Sequence, residues 1–240
     1  MTTAPERSVL REALLLWAAA FCAILLTHLT FPFLAKAVAT VAFLCLPWWA
    51  MRRRGEYDED YGVTLRAWRT DLELVAVVCF FVLPLYTAGF WGMTHLRSVL
   101  PGWAQSFVAP FIGQSRVFHA RLPDNFAEWA VDQLFVVALP EEFFYRGYLQ
   151  SRLNLVWPPG LRVLGAKVGP ALLVVAVLFA LGHLAVFHVW RLAVFFPALL
   201  FGYLRERTGT VLGCTLVHAI FNLYSMFLEA SFTPLWQRQR

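Results

Sequence analysis

The sequence predicts an all-α fold, a polytopic transmembrane helical bundle of about seven spans (six to eight). Three observations carry that expectation. The 240 residues are 60% hydrophobic and 15% charged, with mean hydropathy +0.61, whereas a soluble domain carries about 25% charged residues. Apolar runs recur near the roughly 20 residues a helix needs to cross the hydrocarbon core. Arginines gather between those runs, as they do at membrane flanks.

The first run, 12–31, follows Arg7 and Arg11. It reads as a retained span, because no small-residue cleavage site follows it cleanly. The second, 33–50, carries Lys36 near its start, placed to snorkel to an interface, and leads into Arg52-Arg53-Arg54. Beside those arginines, Glu56-Tyr-Asp-Glu-Asp60 reads as a solvated acidic loop. Further spans are expected at 72–92, 126–149, 168–190, 192–204 and 210–229, the sixth short and interrupted by Pro197. With a cytoplasmic N-terminus, the clusters Arg52–Arg54, Arg152/Arg162/Lys167 and Arg205/Arg207 all fall inside. The loop 93–125, despite Arg97, Arg116 and Arg121, and the C-terminus are then external.

The chain divides into N-terminal transmembrane helices and external loop (1–125), a transmembrane core that carries the candidate chemistry (126–229) and a short polar tail (230–240). The expected location is the cell inner (plasma) membrane, multi-pass. The formal charge of +5 and pI near 9.3 reflect membrane flanks, so the lipid bilayer is an expected partner and nucleic acid is not. Cys22, Cys45, Cys79 and Cys214 lie in apolar runs without a CxxC pair, and read as buried thiols rather than a disulfide or zinc framework.

The chemistry concentrates in the fourth run, in Leu139-Pro-Glu-Glu-Phe-Phe-Tyr-Arg-Gly-Tyr148. Ionisable groups at bilayer depth cost roughly 2.5–3.5 kcal/mol each even on the mild insertion scale, and so mark function by default. Glu142 and Arg146, spaced i, i+4, lie within about 40° on a helix and form a natural near-neutral pair. Glu141 and Arg146, spaced i, i+5, diverge by roughly 140°. Glu141 is thus left without a local counter-ion, which raises its proton affinity and suits a general base. Pro140 removes a backbone donor and loosens the helix there. A purely interhelical salt-bridge cluster is the bland alternative.

Phe179 and His183 share a helix face one turn apart, and Gly182 admits a close neighbour. A lone helical histidine is more often a packing residue than a catalyst; His188 has no supporting context. His218 and Asn222 again repeat i, i+4, and can hold a developing oxyanion or serve as helix–helix glue worth about 1 kcal/mol. No His-Glu-x-x-His or Gly-x-Ser-x-Gly occurs, and Asp132 is the single intramembrane aspartate on offer, beside Glu128 and Gln133.

Glu141-Glu142-x-x-x-Arg146, Phe179-x-x-x-His183 and His218-x-x-x-Asn222 resemble, in order and approximate spacing, the CAAX prenyl protease and bacteriocin-processing family. These are glutamic-type intramembrane endopeptidases related to the Ras-converting enzyme. Leu200-Phe-Gly-Tyr-Leu-Arg-Glu-Arg-Thr-Gly209 is similar to bacterial members, and the resemblance covers roughly residues 126–229. It implies catalytic roles for Glu141 and His183 in activating water and for His218 and Asn222 in holding the oxyanion. Glu142, Arg146 and Phe179 would support them. The implied substrate is a membrane-associated peptide or protein, as in C-terminal sorting-signal or bacteriocin processing. No cofactor is expected; zinc, which Glu and His can ligate, is the less favoured alternative. Two other classes compete: a non-catalytic membrane immunity or adaptor protein of the same fold, and a proton-relaying transporter, which the absence of an inverted repeat disfavours.

Overall fold

The first two apolar runs become helices α1 (Ala4–Thr30) and α2 (Ala35–Arg53), which pack together. Helix α1 stops where Phe31-Pro32 removes the next backbone donor, and a 3-10 turn (Pro32–Leu34) leads into α2. Arg52 and Arg53 close α2, cations at the negative end of the helix dipole. The structure, a computed structural model, describes residues 4–96, 99–104, 118–186 and 189–232. Arg97, Arg116, His188 and the polar tail after Phe232 lie outside the described residues.

The acidic segment is solvated beside the arginines as expected, except at Glu56. Glu59 and Asp60 are exposed, but Glu56 is drawn inward, accepting from Arg54 at 2.7 Å and from the Tyr61 hydroxyl at 2.5 Å. Arg54 also reaches Glu12 of α1 at 2.5 Å, and Tyr148 donates to the same Glu12. A half-buried guanidinium needs several acceptors, and the acidic loop supplies one of them.

Helix α3 (Trp68–Leu96) packs on the last helix, α7 (Leu212–Ser231). The contact is anchored by Asp71, fully buried, which accepts the Thr210 hydroxyl at 2.7 Å. Helix α4 runs through residues 126–156, and α5 (Pro170–Gly182) follows a two-stranded hairpin, Leu161–Val163 with Ala166–Val168. The hairpin was not expected; its turn uses positive φ at Leu164 and Gly165, as tight hairpins require.

Helix α6 (Phe195–Thr208) packs on α5 and α7. Pro197 does not interrupt it: the proline sits in the first turn, where its missing donor is an orphan in any case. Gly209, at φ 73°, ends α6 by returning its N–H to the Arg205 carbonyl at 2.9 Å, a left-handed stop that glycine adopts without penalty.

The all-α membrane bundle is thus as expected. Among the described residues four helices are long and apolar enough to cross a membrane, Glu6–Thr30, Pro32–Arg53, Trp68–Met93 and Leu212–Ser231, and Pro170–Val186 is a shorter apolar helix. The segments expected as the fourth and sixth spans are helical, as α4 and α6, but neither is among those four helices. The first is charged and broken by wider turns, and the second has only 14 residues.

One hydrophobic cluster joins Leu16 of α1, Phe43 and Met51 of α2, Phe144 and Tyr148 of α4, and Val175 and Phe179 of α5. A second joins Val75 of α3 to Phe201 of α6 and Val217 of α7. The N-terminal helices therefore share a core with the motif-bearing helices. The cysteines are free, but only Cys214 is buried in protein; Cys22 and Cys45 are exposed, correcting the expectation of four buried thiols. Their positions on the outer faces of α1 and α2 are apolar because those faces suit lipid.

Candidate active site

Helix α4 changes pitch around its acidic pair. Asp132–Ala138 and Phe143–Gln150 are π-helical turns that bracket a short α-helical stretch, Leu139–Glu142. Such turns widen the helix, weaken its regular ladder and recur at functional sites. Pro140 contributes to the disturbance, since it cannot donate to the carbonyl four residues earlier. That carbonyl, Val136, instead accepts the Thr40 hydroxyl of α2 at 2.8 Å. The helix therefore passes through Pro140 without breaking, repaired from a neighbour.

Glu142 and Arg146 are both fully buried and bonded, Nη1 to Oε1, at 2.9 Å. The second arm of Arg146 donates to the Ala198 carbonyl of α6 at 3.2 Å. Its guanidinium carbon lies 4.3 Å from the Phe179 ring centre and 5.2 Å from that of Phe201, so aromatic faces cover the charge where water cannot. Glu142 Oε1 takes a further contact, His218 Nδ1 at 2.8 Å. One carboxylate thus gathers a guanidinium from its own helix and an imidazole from α7.

Glu141 is placed differently. Its Oε2 is buried and hydrogen-bonds to nothing among the described residues, with His218 Nε2 at 4.0 Å. His218 therefore turns one nitrogen to each glutamate, and its ring stacks on Phe201 at 5.0 Å and 17°.

His183 begins a 3-10 turn at the end of α5 and, like Glu141, is partly buried. Its Nδ1 donates to the Phe179 carbonyl at 2.9 Å, which leaves Nε2 as the free acceptor of a neutral ring. The Phe179 ring, 2% exposed, stands 4.6 Å from the His183 ring and 6.0 Å from that of His218. Gly182 admits the Tyr145 hydroxyl so closely that an added Cβ would sit 2.6 Å from it. Trp17 of α1 donates to the Leu178 carbonyl at 3.1 Å, tying the end of α5 to the N-terminal helix.

Glu141, Glu142, Arg146, Phe179, His183 and His218 thus converge. Asn222 does not touch them directly: its Nδ2 donates to Gln133 Oε1 of α4 at 2.9 Å. Sequence reasoning missed Gln133, Thr40, Tyr145, Trp17 and Phe201. Gln133 left a signal, a polar residue beside Asp132 in an apolar run; the others read as ordinary membrane residues. Among the described residues no three His, Cys, Asp or Glu side chains converge as a metal site. The donors explain this, because Glu142 is already committed to Arg146 and His218.

Residues 123–224, which contain every residue of this cluster except Thr40 and Trp17, match the family model described as type II CAAX prenyl endopeptidase Rce1-like. No curated protein and no solved structure matches the chain.

Proposed function

We propose, for a chain that belongs through residues 123–224 to the Rce1-like family of type II CAAX prenyl endopeptidases, a metal-free intramembrane endopeptidase in which Glu141 is the general base. The family is one of membrane proteases; the glutamic mechanism is our reading. One observation carries it: both glutamates keep a buried, unbonded Oε2, but Glu142 is held through Oε1 by Arg146 at 2.9 Å and His218 at 2.8 Å, whereas Glu141 Oε2 meets only His218 Nε2, at 4.0 Å.

A water bridging Glu141 and His183 Nε2 would be oriented by the histidine and would lose its proton to Glu141 as its oxygen attacks the scissile carbonyl carbon. Glu141 would then return that proton to the leaving amine nitrogen as the C–N bond breaks. For His218 to hold the oxyanion, Nε2 must carry a proton while Nδ1 is committed to Glu142, so the ring acts as an imidazolium. Two carboxylates and one guanidinium leave one negative charge for it to balance. Asn222 would add an amide donor, and Phe179 and Phe201 keep bulk water from the ion pair.

The site lies among apolar helices, which favours substrates carrying their own membrane anchor: a lipidated or hydrophobic peptide end, as in sorting-signal removal or peptide maturation. An inner (plasma) membrane location with a cytoplasmic N-terminus accords with the arginines between spans. The test compares peptide termini of membrane proteins in cells bearing wild type or Glu141→Ala at equal protein levels. Termini that disappear with Glu141→Ala support the protease. An unchanged set overturns it in favour of an adaptor or immunity role.

Metal dependence separates this reading from a zinc enzyme. Activity on a peptide copying the lost junction should survive exhaustive chelation. Loss of activity restored specifically by zinc, with about one zinc per chain by elemental analysis, would overturn the metal-free version. His183→Ala should be severely impaired, with or without added zinc.

A further inference from the structure

Asn222 does not stand alone at the edge of the cluster; it ends a chain of polar contacts that reaches the protein surface. Lys36 Nζ of α2 lies 2.7 Å from Asp132 Oδ1, the Gln133 amide nitrogen lies 3.3 Å from Asp132 Oδ2, and Gln133 Oε1 accepts from Asn222 at 2.9 Å. The order of donors along this chain is forced by its outer end. An ionised carboxylate only accepts, so Asp132 draws the NH₂ end of Gln133 towards itself. Gln133 must then present its oxygen inward, and Asn222 must answer with its NH₂. An anion on α4 therefore fixes the polarity of two amides in series, and the second sits one turn from His218 on α7.

We infer that Gln133 is a positioning residue for Asn222, set by Asp132, that keeps the Asn222 amide nitrogen turned as a donor beside the reaction site. The Asn222 NH₂ has two hydrogens; one is held by Gln133, and the other is left for the oxyanion of the tetrahedral intermediate. Without Gln133 the amide rotates freely and can present its oxygen, which repels an oxyanion. The inference rests on the protease reading and adds to it a residue that none of the three motifs contains.

The test uses full-length protein in nanodiscs and a quenched fluorescent peptide copying a junction whose cleavage in cells needs Glu141. Gln133→Met keeps the volume and removes the acceptor, whereas Gln133→Glu keeps an acceptor towards Asn222. If Gln133 positions Asn222, Gln133→Met should lower kcat about 10- to 100-fold with KM little changed, the usual scale for a lost outer-shell partner, and Gln133→Glu should retain most of the rate. If Gln133 only fills space, the order reverses, because the apolar variant is benign and the charged one places a second carboxylate beside Asp132; that outcome overturns the inference. Asp132→Asn, which frees both amides to flip, should fall between, and serves the same test should Gln133→Met fold poorly. Glu141→Gln is run alongside. Its loss of activity with unchanged Gln133→Met overturns the positioning role alone, while full activity in Glu141→Gln overturns the protease mechanism itself.

Discussion

Glu141→Gln should abolish peptide cleavage while leaving the protein folded and abundant. The amide copies the shape of the carboxylate but cannot take a proton from water, and removing a general base costs about 10²–10⁴-fold. The fold should not suffer. Glu141 Oε2 makes no hydrogen bond among the described residues and its pairing with His218 Nε2 is loose, at 4.0 Å, so exchanging a buried charge for a neutral amide gives up little attraction and removes a desolvation penalty. The measurement is turnover of the junction peptide beside thermal unfolding in detergent. Cleavage near the wild-type rate by a well-folded variant sinks the mechanism.

Arg146→Ala should do the opposite, damaging fold and activity together. It leaves Glu142 buried without the guanidinium that bonds it at 2.9 Å, and frees the Ala198 carbonyl of α6. Breaking a buried pair by removing one partner costs about 3–5 kcal/mol. The lower end is expected, because His218 still faces Glu142 at 2.8 Å and can carry a neutralising proton. Lower yield and a markedly lower melting temperature than Glu141→Gln are the expected results. A variant that melts like wild type and loses only activity would make Arg146 a catalytic group rather than an architectural one.

What could be read from the sequence was local. The Glu142–Arg146 pair followed from i, i+4 spacing on one helix, and the exclusion of Glu141 from it followed from the same geometry. Phe179 and His183 could be read as neighbours for that reason too. The hydrogen bond from His218 to Glu142 spans 76 residues, and no periodicity within one helix reports where another will dock. Pro140 was read correctly as a disturbance. Its consequence, π turns instead of a break, depends on Thr40 of α2 supplying the missing donor. Asp71, just outside the expected third span, drew no notice in the sequence, yet it is a fully buried anchor for Thr210. Within the acidic loop only Glu56 was misjudged, because composition cannot show that Arg54 and Tyr61 close on it.

The sharing of Glu142 between Arg146 and His218 has an evolutionary consequence. Each donor backs up the other, so a substitution at either position leaves the carboxylate one remaining partner. Loss of both strands a bare charge, and the double variant should be worse than the sum of the singles, since residues in one network do not act additively. Such epistasis of size narrows the stepwise routes by which a lineage could dismantle the cluster residue by residue. Glu142 would have to become apolar first, leaving an unpaired guanidinium under the Phe179 ring. The three residues are therefore expected to change together or not at all.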